Sequence, residues 1–392
     1  MPRPDLPQEV IDAILEDVPD SSLGACSLTA TAFVTSSQRR LFRWMSLRNL
    51  SAYERTARLL ASSPHLGPYF RYLALSITDI PKDYPVLKSI LALLNELEYL
   101  SISGNANGPT WNQIGQNPAL IDLLSRPTLR CFALHHLSGV PSSVILRALS
   151  SCKEVLLSHL SITDESQDAE VAPPTELWHF GVTSDAYGRH GILPFVLHPT
   201  RVGYLRRLRR LSVVLPPIPE ELMDSFMALL IACSSTLEHL EIELTEALVI
   251  DNLPTFPALR VLELWIDVEA AKTPTTLNAI VAGTTAAMPH LEALTIALLD
   301  RPPRNPQRHQ WTGRRPWAWA DLDSTFVDMP DALRQVTLAL LYFDKDPERY
   351  AAFVAYMQDN LPRAFDAGLL AFVYHPSFTH AMDRFSEDSN VA

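Results

Sequence analysis

The sequence predicts an α/β protein in which a short helical N-terminal domain precedes a long run of alternating strands and helices. Three features support this fold class. Apolar side chains recur at helical spacing in residues 1–50. An apolar signature of the form L-x-x-L-x-L then returns along the chain, and its alternation is typical of a short strand. The stretches between signatures mostly have a helical period, so strands and helices should alternate.

The overall composition indicates a folded, soluble protein. Hydrophobic residues make up 47% of the 392 positions, which is too apolar for a disordered chain. The formal charge of −12 argues against a broad nucleic-acid surface, because phosphates require a basic face, although a local basic patch is compatible with it. Apolar runs such as Phe226–Cys233 are shorter than the roughly 18 residues of a membrane-spanning helix. We therefore expect neither a membrane nor a nucleic acid as partner.

The cysteines and the opening residues indicate an intracellular location. Cys26, Cys131, Cys152 and Cys233 are widely spaced and form no C-x-x-C pair, so neither a disulfide framework nor a zinc site is expected. The opening residues include Asp5 and further acidic side chains, where a secretory signal would need a basic start and an apolar run. We predict reduced, buried thiols in the cytoplasm, the nucleus or both.

Sequence motifs of catalysis are missing. The patterns G-x-x-x-x-G-K-[ST], H-E-x-x-H, G-x-S-x-G and G-x-G-x-x-G do not occur, and the chain has only 13 glycines. Loops that cradle phosphates or present a nucleophile need glycine for close backbone approach. His375 and His380 are five residues apart without a carboxylate pattern beside them, which does not suit a metal. The prediction is a protein that is not an enzyme and holds no cofactor and no metal.

The first 50 residues should form three short helices. In LPQEVIDAILEDV, which begins at Leu6, the apolar side chains follow helical spacing. Asp5 is a candidate N-cap, and Pro7 is tolerated in a first turn. Pro19 ends that helix, and two more helices follow. So small a bundle buries little of its own surface, which favours contact with a partner; an ordinary cap on the downstream core is the alternative.

These helices resemble the F-box domain, especially the forms abundant in fungal proteins. The matching segments are LPQEVIDAILEDV, SSLGACSLTATAF and SQRRLFRWMSL. Phe33 stands where the family usually has tryptophan. The resemblance implies docking to a Skp-type adaptor and, through it, to a cullin-based ubiquitin ligase. It also implies that seven apolar residues supply adaptor contact, although some of them must hold the bundle together. They are Leu6, Pro7, Ile11, Ile14, Leu15, Leu28 and Leu41.

The downstream chain repeats one apolar signature. Its copies begin at Phe70, Leu97, Leu129, Leu208, Leu237, Leu259, Leu291 and Leu333, with weaker versions at Val155 and Leu177. Spacings are unequal, 32 residues from Leu97 to Leu129 but 22 from Leu237 to Leu259. The pattern resembles an irregular leucine-rich-repeat solenoid, and a doubly wound α/β domain is the alternative. The predicted domains are residues 1–50, helical; 51–382, solenoid; and 383–392, a polar tail.

A solenoid predicts where a target protein binds. It cannot close on itself, so it exposes a strand face whose side chains at the x positions can contact a partner. For any single residue, a merely solvated position is the alternative. The candidate target-binding residues on this face are Tyr99, Arg130, His135, Arg209, Glu238, Glu241, Glu263 and Trp265.

Segment 301–322 joins five arginines with three tryptophans in an otherwise acidic protein. Arginines beside aromatic rings can stack on bases or bind an acidic peptide. Arg314 and Trp317 are therefore further target-binding candidates. The alternative is a loop whose tryptophans attach it to the edge of the solenoid.

Together these features predict a substrate-recognition adaptor of an SKP-cullin-F-box ubiquitin ligase, whose solenoid recruits an unidentified target protein. One alternative is a protein-interaction scaffold that stands alone, without a ligase. Another is an enzyme with an unrecognised α/β site. Complex formation would separate the first two, and a deep polar pocket with converging titratable groups would favour the third.

Overall fold

A computed structural model gives the architecture of most of the chain. It describes residues 7–77, 85–104, 111, 118–163, 176–183, 191–215, 220–244, 253–267, 277, 281, 287–299, 319–329, 333–341 and 347–375. The structure alternates helices with parallel strands, which confirms the predicted α/β class. The chain divides into two compact units. The first contains the described residues from 7 to 152 together with 162–163, and the second contains residues 153–161 and the described residues from 176 to 375.

The first unit begins with three short helices, as the apolar spacing predicts. They are α1 (Gln8–Glu16), α2 (Asp20–Thr29) and α3 (Thr31–Leu41). Pro7 and Pro19 directly precede α1 and α2, where a missing backbone N–H does no harm. Helix α3 packs against both other helices. The core of this group consists of Ile11, Leu15 and Leu23, with Val18, Cys26 and Phe33 packed against it.

Strands and helices alternate through the rest of the first unit. The elements are β1 (Trp44–Leu47), α4 (Leu50–Ser62), a 3-10 helix (Pro64–Tyr69), β2 (Tyr72–Ser76), α5 (Pro85–Leu93), β3 (Tyr99–Ser103), α6 (Pro118–Leu123), β4 (Cys131–Pro141) and α7 (Ser142–Ser151). Strand β1 pairs in parallel with β2, β2 with β3, and β3 with β4. Asn49 caps α4 by accepting a hydrogen bond from the Ala52 backbone N–H at 2.9 Å.

The described residues of the second unit form eight strands. They are β5 (Glu154–Thr163), β6 (His179–Thr183), β7 (Arg210–Leu215), β8 (His239–Leu244), β9 (Val261–Asp267), β10 (Ala293–Leu299), β11 (Gln335–Leu341) and β12 (Leu370–His375). Each pairs in parallel with the next along the chain. All ten segments with the apolar signature, strong or weak, form strands in this way. The sequential order differs from a doubly wound sheet, in which strand order reverses.

Helices connect the strands of the second unit. They are α8 (Ile192–Val196), a 3-10 helix (Val202–Leu205), α9 (Glu220–Cys233), α10 (Trp319–Val327), α11 (Pro347–Asn360) and α12 (Pro362–Asp366). Asp323 of α10 caps the start of α12 by accepting hydrogen bonds from the backbone N–H groups of Arg363 and Ala364, at 3.1 and 2.8 Å. No helix in the described part of the chain is long and apolar enough to cross a membrane.

The L-x-L alternation of the strands explains the core. In a strand, successive side chains point to opposite faces, so the two leucines of the L-x-L part of each signature share one face. Paired strands then align these leucines in rows, and full burial contributes roughly 1.5–3 kcal/mol for each side chain. One such fully buried row in the second unit is Leu211, Leu240, Leu262, Leu294 and Val336. The x positions lie on the opposite face, where the polar residues gather.

Candidate functional site

The N-terminal helices expose more large apolar side chains than their length would suggest. Among the described residues, nine large apolar side chains are exposed, and four of these lie in α1–α3. Leu28 is 88% exposed and Ile14 is 46% exposed, and Val10 and Leu41 are also exposed. Water around such groups is unfavourable, and a partner that covers them is stabilised by their burial. We call these four residues the exposed apolar set.

The structure separates the predicted adaptor-binding residues into two groups. Ile11 and Leu15 lie in the core between the helices, with 2% and 1% exposure. Pro7, Ile14, Leu28 and Leu41 are exposed, and Leu6 lies outside the described residues. Sequence spacing could not make this division, because Ile14 and Leu15 are neighbours that fall on different sides of the same helix.

Polar contacts hold the three helices together. Ser36 of α3 and Gln8 both donate hydrogen bonds to the Asp12 carboxylate of α1. These two bonds, that of Ser36 first, lower the pKa of Asp12. Arg40 of α3 donates to the Asp20 carboxylate of α2 at 2.7 Å. Because these contacts orient the helices, the exposed apolar set is held in a defined arrangement.

The x positions of the first unit form an aromatic row. The rings of Trp44 and Tyr72 stack with centroids 3.9 Å apart, and the centroids of Tyr72 and Tyr99 are 5.7 Å apart. The Arg43 guanidinium lies 5.0 Å from the centre of the Tyr72 ring, within the range of a cation–π contact. Tyr99 is only 4% exposed, so its ring fills space between neighbours and offers little surface.

Charged residues alternate along one edge of the second unit. The residue before each strand from β7 to β10 is Arg209, Glu238, Arg260 and Glu292 in turn. Arg209 Nη1 lies 3.5 Å from Glu238 Oε1, and Arg260 Nη1 lies 3.2 Å from Glu292 Oε1. Such exposed ion pairs contribute at most about 1 kcal/mol each. A partner can therefore displace these ion pairs with little loss of free energy. We call the four residues the charged edge.

A groove of about 980 Å³ runs along this edge. Arg209, Glu238 and Arg260 of the charged edge line it, together with the exposed Trp178. Its lining also includes Arg207, for which the described residues provide no ion pair. Basic side chains outnumber acidic ones in this lining, so the groove differs in charge from the acidic chain as a whole.

A buried polar chain crosses four strands of the second unit. His179 Nδ1 lies 3.2 Å from Glu154 Oε2, and His179 Nε2 lies 3.2 Å from Ser212 Oγ. Ser212 donates to Glu241 Oε2 at 2.9 Å, and Arg210 Nη2 donates to the same oxygen at 3.3 Å. Burial lowers the pKa of His179 more strongly than Glu154 raises it, and Arg210 lowers it further. The imidazole is therefore neutral near pH 7.

Glu154, His179 and Ser212 follow one another in space as acid, histidine and serine, which is also the arrangement of a hydrolase triad. His179 and Ser212 are each only 3% exposed, however, so a substrate has no access to the hydroxyl. The Ser212 proton is also shared with Glu241, which competes with transfer to His179. We interpret this row of hydrogen-bonded side chains as a structural network that satisfies polar groups on a buried face.

Two more carboxylates lie beside this network. Glu263 of β9 is the direct cross-strand neighbour of Glu241, and its Oε1 lies 3.0 Å from His239 Nε2. Glu243, two residues after Glu241, is 4% exposed. Trp265 is also 4% exposed and packs against Ala297 and Ala339.

The predicted target-binding residues thus have different surroundings. Arg130 and Arg209 are exposed, while His135, Glu238 and Glu263 are half-buried. Tyr99, Glu241 and Trp265 are buried at 4% exposure, because side chains of adjacent strands crowd the x face. Arg314 and Trp317 lie outside the described residues. No sequence motif indicates the polar network from Glu154 through His179 to Ser212, since only the strand register shows that these residues are neighbours.

The chain matches no protein-family model, and no curated protein is significantly similar to it.

Proposed function

We propose that this chain is the substrate-recognition subunit of a cullin-based ubiquitin ligase, with α1–α3 docking a Skp-type adaptor. The observation that carries the proposal is the exposed apolar set, Val10, Ile14, Leu28 and Leu41. It lies on the same helices whose sequence resembles the F-box domain. A fully buried Leu or Ile side chain is worth roughly 1.5–3 kcal/mol, so covering this set would supply a substantial part of the binding free energy.

The proposed mechanism is proximity and requires no catalytic group from this chain. The adaptor and the cullin would hold the transferring enzyme, and this chain would hold the target. A target kept near that enzyme presents its lysines at a raised effective concentration. In this proposal the groove at the charged edge receives the target, since its ion pairs are exposed and weak.

Adaptor binding tests the proposal directly. The full-length chain would be titrated with a purified Skp-type adaptor, and its affinity compared with that of an Ile14→Asp, Leu28→Asp double variant. Both residues are exposed, so the variant should fold like the wild type, as judged by circular dichroism and unfolding midpoint. We expect its affinity to fall at least about a hundredfold, because hot-spot side chains at interfaces contribute 2 kcal/mol or more each.

A matched control separates binding at α1–α3 from nonspecific association through any exposed apolar side chain. Ile231 of α9 is 62% exposed and lies in the second unit. The Ile231→Asp variant should bind the adaptor as the wild type does. If the wild type shows no adaptor binding, the proposal fails, and a scaffold that works without a ligase becomes the better description.

A further inference from the structure

We propose that His239, Glu241 and Glu263 form a binding site for a divalent transition-metal ion of the Zn²⁺ class. One candidate ligand atom from each of these residues lies within 4.8 Å of the other two. Imidazole nitrogen with carboxylate oxygens is a common donor set for zinc in proteins. The proposal does not depend on adaptor docking, because the three residues belong to the second unit.

The strand register places the three side chains on one face. His239 and Glu241 are two residues apart on β8, so they point the same way. Glu263 of β9 pairs directly with Glu241, and neighbouring strands are about 4.8 Å apart. The backbone therefore fixes all three side chains beside a common point, and strands position ligands more rigidly than loops do.

The surroundings of His239 Nε2 also support a metal site. His239 Nε2 is buried and makes no hydrogen bond to the described residues, although it lies only 3.0 Å from Glu263 Oε1. The direction of approach is not that of a hydrogen bond. Ligand atoms of a tetrahedral zinc ion are separated by roughly 3.3 Å, given bonds near 2.0 Å. The two atoms thus have nearly the separation that a shared metal imposes, and a ligand atom of Glu241 lies within 4.8 Å of the ligand atoms of both other residues.

Local charge also favours a cation. Glu241, Glu243 and Glu263 bring three carboxylates to this face, and Glu241 and Glu243 are each 4% exposed. Arg210 pairs with Glu241, with its Nη2 atom 3.3 Å from Oε2. Ionised carboxylates out of water are unfavourable unless opposite charge compensates them. A divalent ion would add positive charge beside these carboxylates, and it is small enough to reach groups that a partner protein could not.

Arg210 does not prevent this arrangement. It and Ser212 both use Oε2 of Glu241, which leaves Oε1 for a metal. These two donors also orient the carboxylate, as the outer partners of metal ligands commonly do. Arg210 and Ser212 would therefore act as positioning residues.

Direct metal binding tests the site. Tag-free full-length protein, stripped with a chelator, would be titrated with Zn²⁺ by calorimetry and with Co²⁺ by visible absorption. We expect one ion per chain and Co²⁺ absorption bands typical of a low-coordinate nitrogen and oxygen site. Glu263→Gln, which keeps the shape of the side chain, and His239→Gln should each weaken binding at least about tenfold, as loss of a ligand does.

The control is Glu238→Gln, the residue next to His239 on the charged edge, where a carboxylate is removed outside the site. It should bind both ions like the wild type. Circular dichroism of each variant verifies folding. If His239→Gln unfolds, the metal affinity of Glu263→Gln alone tests the site. Absence of binding by the wild type would overturn the proposal, as would binding that neither variant weakens.

Discussion

His179 of β6 lies between Glu154 of β5 and Ser212 of β7, with its Nδ1 atom 3.2 Å from Glu154 Oε2. The imidazole is 3% exposed, and its burial lowers the pKa more than the carboxylate raises it. One histidine thus joins three parallel strands while it stays neutral. Its protonation should therefore be linked to the stability of the second unit.

The free energy of unfolding should fall as pH drops below about 6.5, where a histidine in the unfolded chain takes up a proton. His179 in the folded chain, with its lowered pKa, takes up that proton only at lower pH. Stability is therefore lost between the two pKa values, by at most about 1.4 kcal/mol per pH unit for one proton. Urea unfolding of the wild type and of His179→Gln between pH 7.5 and 5 measures this loss.

Substitution of an exposed histidine provides the control for the pH dependence of stability. His198 is exposed, and His198→Gln should keep the pH dependence of the wild type, while His179→Gln should flatten it. Equal pH dependence in all three proteins would show that His179 is not the linked group.

The four cysteines should differ sharply in reactivity. All four are free, and Cys26 is half-buried while the other three are buried. Burial raises the pKa of Cys152 to about 11 and that of Cys233 to about 12. At pH 8 the thiolate that reacts would then be about 0.1% or less of either group. We expect a thiol reagent to modify Cys26 quickly in the native protein and the other three only after denaturant is added.

A Cys26→Ser variant identifies the fast thiol, because it should abolish the rapid phase and leave the slow one. Two or more rapid thiols in the native wild type would contradict the burial of at least one of Cys131, Cys152 and Cys233.

Two glycines of the first unit should respond in opposite ways to alanine. A Cβ atom on Gly67 would overlap the backbone carbonyl oxygen of Leu93, which cannot rotate away. Forced backbone shifts of this kind typically destabilise by about 1–3 kcal/mol. Gly24, inside α2, has no other atom within 4 Å of that position, and alanine favours a helix over glycine by up to about 1 kcal/mol.

Thermal or urea unfolding of the two variants tests this pair. Gly67→Ala should lower the unfolding midpoint, and Gly24→Ala should raise it or leave it unchanged. A Gly67→Ala protein as stable as the wild type would mean that Leu93 and its helix can move at little expense.

Local patterns in the sequence specify the helices and strands of this protein. A period of two in each signature specifies strands, and the helical period between them specifies the connections, so the α/β class and every signature strand were predictable. The three N-terminal helices were also predictable, because prolines and apolar spacing are local signals. The boundary at residue 50 and the solenoid with its repeats stay predictions.

Which side chains meet and which are buried depends on long-range packing. Ile14 and Leu15 have equal hydrophobicity, but packing against Leu23 buries one and leaves the other exposed. Glu241 and Glu263 are 22 positions apart in the sequence and become neighbours only through the register of β8 and β9. Distances between strands depend on the loops that join them, and no local pattern in the sequence encodes that pairing.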